Sequence, residues 1–149
     1  MKSRTFHTAS EEETIALGRR LGAEFEPGVV LLIGNLGAGK TTLAKGIAEG
    51  HNRTPVDQVS SPTFTLIHQY GDDTGRQVHH IDLYRLDELR EVETLGLQDL
   101  FAGHSLVLLE WAERFPSLLP VERIEIRLRT MEDETREIQV AWVGQARVG

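Results

Sequence analysis

Residues 34–41 have the residue types and the spacing of a phosphate-binding loop. The segment GNLGAGKT fits the pattern G-x-x-x-x-G-K-[ST] at every constrained position. In such a loop the glycines let backbone N–H groups point at phosphate oxygens, and the helix that follows adds partial positive charge. Lys40 would reach the outer phosphates, and the Thr41 hydroxyl would bind Mg²⁺. The segment therefore predicts a nucleoside triphosphate site, because a plain glycine-rich turn needs neither Lys nor Thr at these offsets.

The segments around this loop are those that its chemistry requires. Five consecutive apolar residues, 29–33, are typical of a strand that is buried on both faces of a parallel sheet. After the loop, apolar residues recur at helical spacing from Leu43 to Ala48, and Gly50 is expected to stop the helix. The loop is thus predicted to join a buried strand to a helix N-terminus.

Two further strand patterns each end in a carboxylate. Residues 76–82 are predicted to pair with 64–70 in a hairpin and end at Asp82, and the buried-strand pattern 105–110 ends at Glu110. Ligand sites of open α/β sheets lie at the carboxyl ends of the strands, which puts Glu110 on the same rim as the loop. Glu110 is predicted to hold Mg²⁺ through water or to polarise the attacking water. Asp82 fits two interpretations, a metal-directed carboxylate and a strand-end or capping residue.

Alternation along the predicted strand 76–82 and just beyond it puts His80, Asp82 and Tyr84 on one face, with His79 and Ile81 on the other. His80 would either orient Asp82 or be a half-buried strand histidine. A zinc site made from the two histidines and Asp82 is unfavourable, because adjacent strand residues point apart.

Two other positions, Thr63 and Trp111, keep more than one interpretation. Thr63 lies at the end of a polar segment after the loop helix, where nucleotide switches often hold a mobile Thr, although an ordinary Ser/Thr-Pro turn fits equally well. Trp111 directly follows Glu110 and would cover the nucleotide, meet a partner or fill the core.

The remaining patterns indicate the architecture. Ser10 and Glu13 form a capping box for a helix that runs to about Phe25, and a short edge strand is expected before it, around residues 4–7. Residues 87–101 are helix-like with a break at Gly96, and alternating residues near the C-terminus predict an antiparallel hairpin whose charges face solvent. We therefore predict one α/β domain over residues 1–149, a P-loop NTPase-like fold. Its mixed sheet has central parallel strands, antiparallel hairpins at the margins and helices on both faces.

Composition narrows the function classes. The 149 residues contain no cysteine, which excludes disulfides and thiolate metal sites, and the net charge of −7 disfavours free-standing binding to nucleic acid. No stretch of apolar residues is long enough to span a membrane, and the N-terminus lacks the apolar core of a signal peptide. A cytoplasmic location is the expectation, with any RNA contact shared with a partner.

Four motifs taken together resemble the TsaE (YjeE) family of small bacterial P-loop ATPases. They occur in family order as GNLGAGKTT at 34–42, SPTF at 61–64, HIDLYR at 80–85 and LEWAER at 109–114. The resemblance implies that the chain binds ATP and Mg²⁺ and is needed for threonylcarbamoyladenosine beside the tRNA anticodon. It also implies work with TsaD and TsaB, which transfer the group, while the ATPase cycle resets their complex. Contact with tRNA would then be indirect.

The resemblance also assigns roles residue by residue. Lys40 and Thr41 take the phosphate and metal roles, Thr63 the switch role, and Asp82 and Glu110 the acidic roles, with metal contacts implied for Thr41, Asp82 and Glu110. The residues implied to contact the nucleotide are Asn35, Leu36, Gly37, Ala38, Gly39, Lys40, Thr41, Thr42 and Trp111. Asn35 departs from the family, which often has Asp there, so a charge-dependent role at this position is in doubt.

Two rival classes use the same loop. A small-molecule kinase normally adds an arginine-bearing lid, which the sequence does not show, and a non-hydrolysing nucleotide-sensing adaptor would tolerate loss of the carboxylates. A GTPase is disfavoured because no [NT]-K-x-D segment occurs. The prediction is a slow ATPase whose activity depends on a protein partner.

Overall fold

The structure, a computed structural model, describes residues 2–35, 37–52, 67–71 and 76–144. Within these residues a seven-stranded sheet has the order β1-β7-β6-β2-β5-β4-β3. Its strands are β1 (Lys2–Thr8), β2 (Gly28–Ile33), β3 (Ile67–Tyr70), β4 (Val78–Asp82), β5 (Leu106–Glu110), β6 (Arg123–Thr130) and β7 (Arg136–Val143). Its helices are α1 (Glu11–Glu24), α2 (Lys40–Asn52), α3 (Leu89–Glu93) and α4 (Leu97–Phe101), with 3₁₀ turns at Ala112–Arg114 and Pro116–Leu118.

The four strands at the centre of the sheet are parallel. β2 pairs in parallel with both β5 and β6, and β4 pairs in parallel with β5. The antiparallel pairs β1–β7, β6–β7 and β3–β4 lie towards the two margins, and β1 is the expected edge strand. The predicted mixed sheet is confirmed. Residues 64–66 and the turn 72–75 of the predicted first hairpin lie outside the described residues.

Apolar residues on both faces of β2 explain why both faces of the sheet are covered. Val30 and Leu32 belong to the core under α1 and α2. Val29 and Leu31 belong to a second core with residues of α3, α4 and the 3₁₀ turns. An uninterrupted apolar strand requires this two-sided cover, so helices on both faces are confirmed.

The cap of α1 forms nearly as expected. The Ser10 hydroxyl accepts a hydrogen bond from the Glu13 N–H at 3.1 Å. The Glu13 carboxylate reaches back to the N–H of Ala9 at 3.2 Å, one residue earlier than in the usual capping box. The helix ends at Glu24, one residue before the predicted end.

Gly50 does not stop the loop helix, and that prediction is wrong. α2 continues to Asn52, and a Cβ at Gly50 would lie 2.0 Å from the carbonyl oxygen of Arg19 in α1. The same close approach of the two backbones occurs at three more glycines of α1 and α2, namely Gly18, Gly22 and Gly46. The spacing of four within each helix puts these glycines on facing stripes, so they allow α1 and α2 to touch.

The predicted break at Gly96 is confirmed, since the helix-like segment 87–101 forms two short helices, α3 and α4. Gly96 has a left-handed backbone (φ 70) and separates α3 from α4.

No helix in the described part of the chain is long and apolar enough to cross a membrane.

Candidate functional site

The loop predicted to bind phosphate, residues 34–41, lies at the carboxyl end of β2, between that strand and α2. Gly37 and Gly39 have φ values of +83 and +99, a left-handed backbone that other residues rarely adopt. Gly34 is required for a different reason, because a Cβ there would lie 2.8 Å from the carbonyl oxygen of Leu128 in β6. Leu36 lies outside the described residues. The glycines of the motif thus serve both loop conformation and close contact with the neighbouring strand.

Lys40, the first residue of α2, is a buried cation. It is only 4% exposed, and within the described residues its Nζ has no hydrogen-bond partner. Burial lowers the pKa of Lys40, while the carboxylates of Glu110, Glu113 and Asp82 oppose that shift. A buried ammonium without hydrogen bonds is costly unless an anion satisfies it. The side chain is therefore suited to bind phosphate oxygens.

The two predicted carboxylates are neighbours across the β4–β5 pair. Asp82 and Glu110 are register partners in this parallel ladder, so their side chains leave the sheet on the same face. The Thr41 hydroxyl donates to Glu110 Oε2 at 3.5 Å, which joins this pair to the start of α2. Asp82 Oδ1 accepts a hydrogen bond from the Tyr84 N–H at 2.9 Å. Asp82 therefore caps the turn after its strand, while Glu110 is the carboxylate beside the loop.

His80 contacts Glu110 and not Asp82. Its Nε2 lies 2.5 Å from Glu110 Oε2, and the two residues are 7% and 3% exposed. The predicted alternation holds, since Ile81 packs in the opposite core with α3 and α4. The imidazole orients the carboxylate that the sequence placed on the rim of the loop.

Trp111 lies over the loop lysine. The Lys40 Nζ is 3.6 Å from the centroid of the indole, a cation–π contact. The Tyr84 ring also packs against Trp111, tilted, at a centroid distance of 5.1 Å. Trp111 has a left-handed backbone (φ 67), which is unusual for a bulky residue and frequent at functional sites.

Arg136, at the start of β7, is a site residue that the sequence did not reveal. A Cβ on Gly39 would lie 2.9 Å from its Nε, so the guanidinium reaches the phosphate-binding loop. Its Nε is buried and makes no hydrogen bond within the described residues. The charges of this hairpin were expected to face solvent, and only the pairing of β7 between β1 and β6 brings Arg136 to the loop.

The donor atoms at this rim suit Mg²⁺. Thr41, Asp82 and Glu110 offer hydroxyl and carboxylate oxygens, the ligands that Mg²⁺ prefers. In the part of the chain that is described, no group of three or more His, Cys, Asp or Glu could hold a metal by itself. Mg²⁺ at a phosphate site needs only one or two carboxylates, because substrate phosphates and water complete its shell. Thr63, the predicted switch residue, lies outside the described residues.

Comparisons with family models, known sequences and solved structures agree with one another. Residues 8–138 match the family model described as "Threonylcarbamoyl adenosine biosynthesis protein TsaE". A tRNA threonylcarbamoyladenosine biosynthesis protein TsaE of Bacillus subtilis is 42% identical, over 97% of this chain and 89% of the relative. One of Treponema pallidum is 40% identical, over 89% and 96%. The crystal structure of Bacillus subtilis YdiB superposes with a TM-score of 0.78 at 36% identity, over 96% of this chain and 87% of YdiB.

Proposed function

Because this chain belongs to the TsaE family, we propose that it is an Mg²⁺-dependent ATPase that serves tRNA threonylcarbamoyladenosine biosynthesis. The similar proteins of Bacillus subtilis and Treponema pallidum are named for that pathway. The observation that supports ATP binding is the Lys40 ammonium, which is buried at the end of a glycine loop, near Glu110, and has no hydrogen-bond partner among the described residues. A buried cation of this kind is stabilised by the negative charge of a triphosphate.

Each site residue has a part in this proposal. The loop N–H groups hold the phosphates, and the Lys40 ammonium leaves the Trp111 ring to bind the outer ones. Arg136 adds a second cation at the Gly39 end of the loop. Thr41, Glu110 and Asp82 would hold Mg²⁺, which neutralises charge on the phosphates when it is bound.

Hydrolysis then needs a positioned water. Water attacks the γ-phosphorus, the bond to the bridging oxygen breaks, and ADP and phosphate leave. Glu110, held by His80, is the carboxylate that would orient this water or the metal. Thr63 is proposed as the switch residue that senses the outer phosphate.

The proposed purpose of hydrolysis is to reset a protein complex. We expect the chain to act in the cytoplasm on a TsaD-like and TsaB-like pair, without transferring the threonylcarbamoyl group itself. A net charge of −7 supports tRNA contact only through that complex. The ATPase is expected to be slow alone and to change with the partner.

The test compares ADP release and nucleotide affinity in three variants of the full chain. Lys40→Met should weaken ATP binding by about 10-fold to 100-fold, because a hydrogen bond between charged groups is lost. Glu110→Gln should leave affinity within about threefold and lower turnover about 100-fold, because it removes the carboxylate that assists proton transfer. Lys45→Met, an exposed lysine of the same helix, is the matched control and should behave as wild type.

Specific results would contradict the proposal. ADP release that requires a small metabolite would indicate a kinase. Turnover unchanged by Asp82→Ala and Glu110→Ala would indicate an adaptor that does not use these carboxylates. For the biological role, the chain should co-purify with a TsaD-like and TsaB-like pair in an ATP-dependent way. Reconstituted tRNA modification that continues through many turnovers without it would overturn that role.

A further inference from the structure

Arg114 joins the two chain segments that follow the predicted carboxylates. Its Nε donates to the carbonyl oxygen of Trp111 at 3.4 Å. Its Nη2 lies against three carbonyl oxygens of the turn after β4, those of Leu83, Tyr84 (3.3 Å) and Leu86 (2.7 Å). One guanidinium thus contacts the segment after Asp82 and the segment after Glu110.

An exposed arginine can pair with a carboxylate or extend into water. Arg114 instead binds backbone carbonyls, and the planar fork of a guanidinium suits several acceptors at once. Two more contacts in the described residues link this part of the chain: the backbone hydrogen bond from the Leu83 N–H to the Glu110 carbonyl oxygen, at 3.0 Å, and the packing of the Tyr84 ring on Trp111.

We propose that Arg114 is a positioning residue of the nucleotide site. This role rests on the proposed ATPase function. By fixing the turn 83–86 against Trp111, it fixes the Tyr84 N–H that binds Asp82 Oδ1. It also holds the left-handed Trp111 backbone whose ring covers the Lys40 ammonium. Arg114 acts through Asp82 and Trp111 and contacts neither phosphate nor metal.

The test uses Arg114→Lys, which keeps the charge and loses the fork. We expect kcat to fall about 10-fold to 100-fold, the effect of a small misplacement of catalytic groups, with KM for ATP within about twofold because the loop is unchanged. Without nucleotide, acrylamide should quench Trp111 fluorescence more strongly than in wild type. The buried Trp142 also contributes fluorescence, and a Trp111→Phe variant measures that contribution. Arg90→Lys, an exposed arginine of α3 whose partner is Glu88, should change neither readout.

The two readouts separate the possible failures. Wild-type kcat together with wild-type quenching in Arg114→Lys would overturn the positioning role. Increased quenching in a chain that shows no ATP turnover even as wild type would support the positioning role while the ATPase proposal fails. Thermal unfolding of Arg114→Lys checks that it is folded, and Arg114→Gln, which keeps a planar donor group, should give intermediate quenching. Quenching in Arg114→Gln equal to that of wild type would count against the role of the fork.

Discussion

The loop side and the carboxylate side of the site are held in place by different means. On the loop side, α2 is fixed by glycines that let its backbone touch α1, as at Gly22 and Gly46. On the carboxylate side, β4 and β5 end in irregular segments that Arg114 joins by side-chain hydrogen bonds to carbonyls. Contact between two backbones tolerates no added atom, whereas hydrogen bonds at the surface adjust. Substitutions on the loop side should therefore cost stability, and those on the carboxylate side should cost alignment.

The largest expected effect is on folding, from the same substitution made at the α1–α2 contact and, as a control, at Gly103, between α4 and β5 and away from both sides of the site. In Gly46→Ala the new Cβ would lie 2.4 Å from the Ile15 carbonyl oxygen, whereas in Gly103→Ala the nearest atom is 3.4 Å away. Overpacking against backbone should lower the free energy of unfolding of Gly46→Ala by about 2 kcal/mol, after a small gain in helix propensity. Gly103→Ala should change it by less than about 0.5 kcal/mol. Urea unfolding measures both, and equal losses would show that the close contact between the α1 and α2 backbones does not fix the loop side.

A smaller effect, on nucleotide affinity, is expected from substitution of Arg136 at the start of β7. Arg136→Gln should weaken ATP binding about 10-fold, because one hydrogen bond to a charged group is lost, and leave turnover at saturating ATP within about twofold. Arg129→Gln is the control from the same hairpin, since Arg129 is exposed and pairs with Glu137. Titration calorimetry gives the affinities. A fall in turnover with unchanged affinity would place Arg136 with the carboxylate side instead.

The smallest expected effect is a pH dependence of stability at the amino ends of β4 and β5, away from the carboxylates. His79 is half-buried with its Nδ1 2.9 Å from the Ser105 hydroxyl, and burial lowers the pKa of its imidazole below the ordinary value of 6.5. As the pH falls below that value, the unfolded chain binds the proton first, so this contribution to stability is present above it and is lost on acidification.

Between about pH 7.5 and about pH 5.5, wild type should therefore lose more free energy of unfolding than His79→Gln, by up to about 1 kcal/mol. Urea unfolding at each pH gives this difference. His104→Gln, an exposed histidine near Ser105, should follow the wild-type curve. Parallel curves for wild type and His79→Gln would rule out this source of acid sensitivity.

The principal parts of the site could be predicted because each has a local pattern. The glycines and Lys40 are consecutive in the chain, and Glu110 ends an apolar run. Parallel strands bring their carboxyl ends to one rim, so Glu110 was expected near the loop, and the Asp82–Glu110 pairing follows from the same geometry. The prediction for Gly50 was wrong because the sequence alone does not distinguish a glycine that ends a helix from a glycine that lets the helix contact a second helix.

What the sequence by itself determined is the loop, the strand-end acids, the mixed sheet and the family resemblance, since these depend on short-range periodicity and spacing. Only the tertiary structure decided that His80 binds Glu110 and that Trp111 covers Lys40. It also decided that two arginines, which no motif marked, reach the site. Arg136 comes from β7, next to β6, and Arg114 reaches across to the turn after β4. Such contacts join residues far apart in the chain, and they exist only after the order of the strands is set.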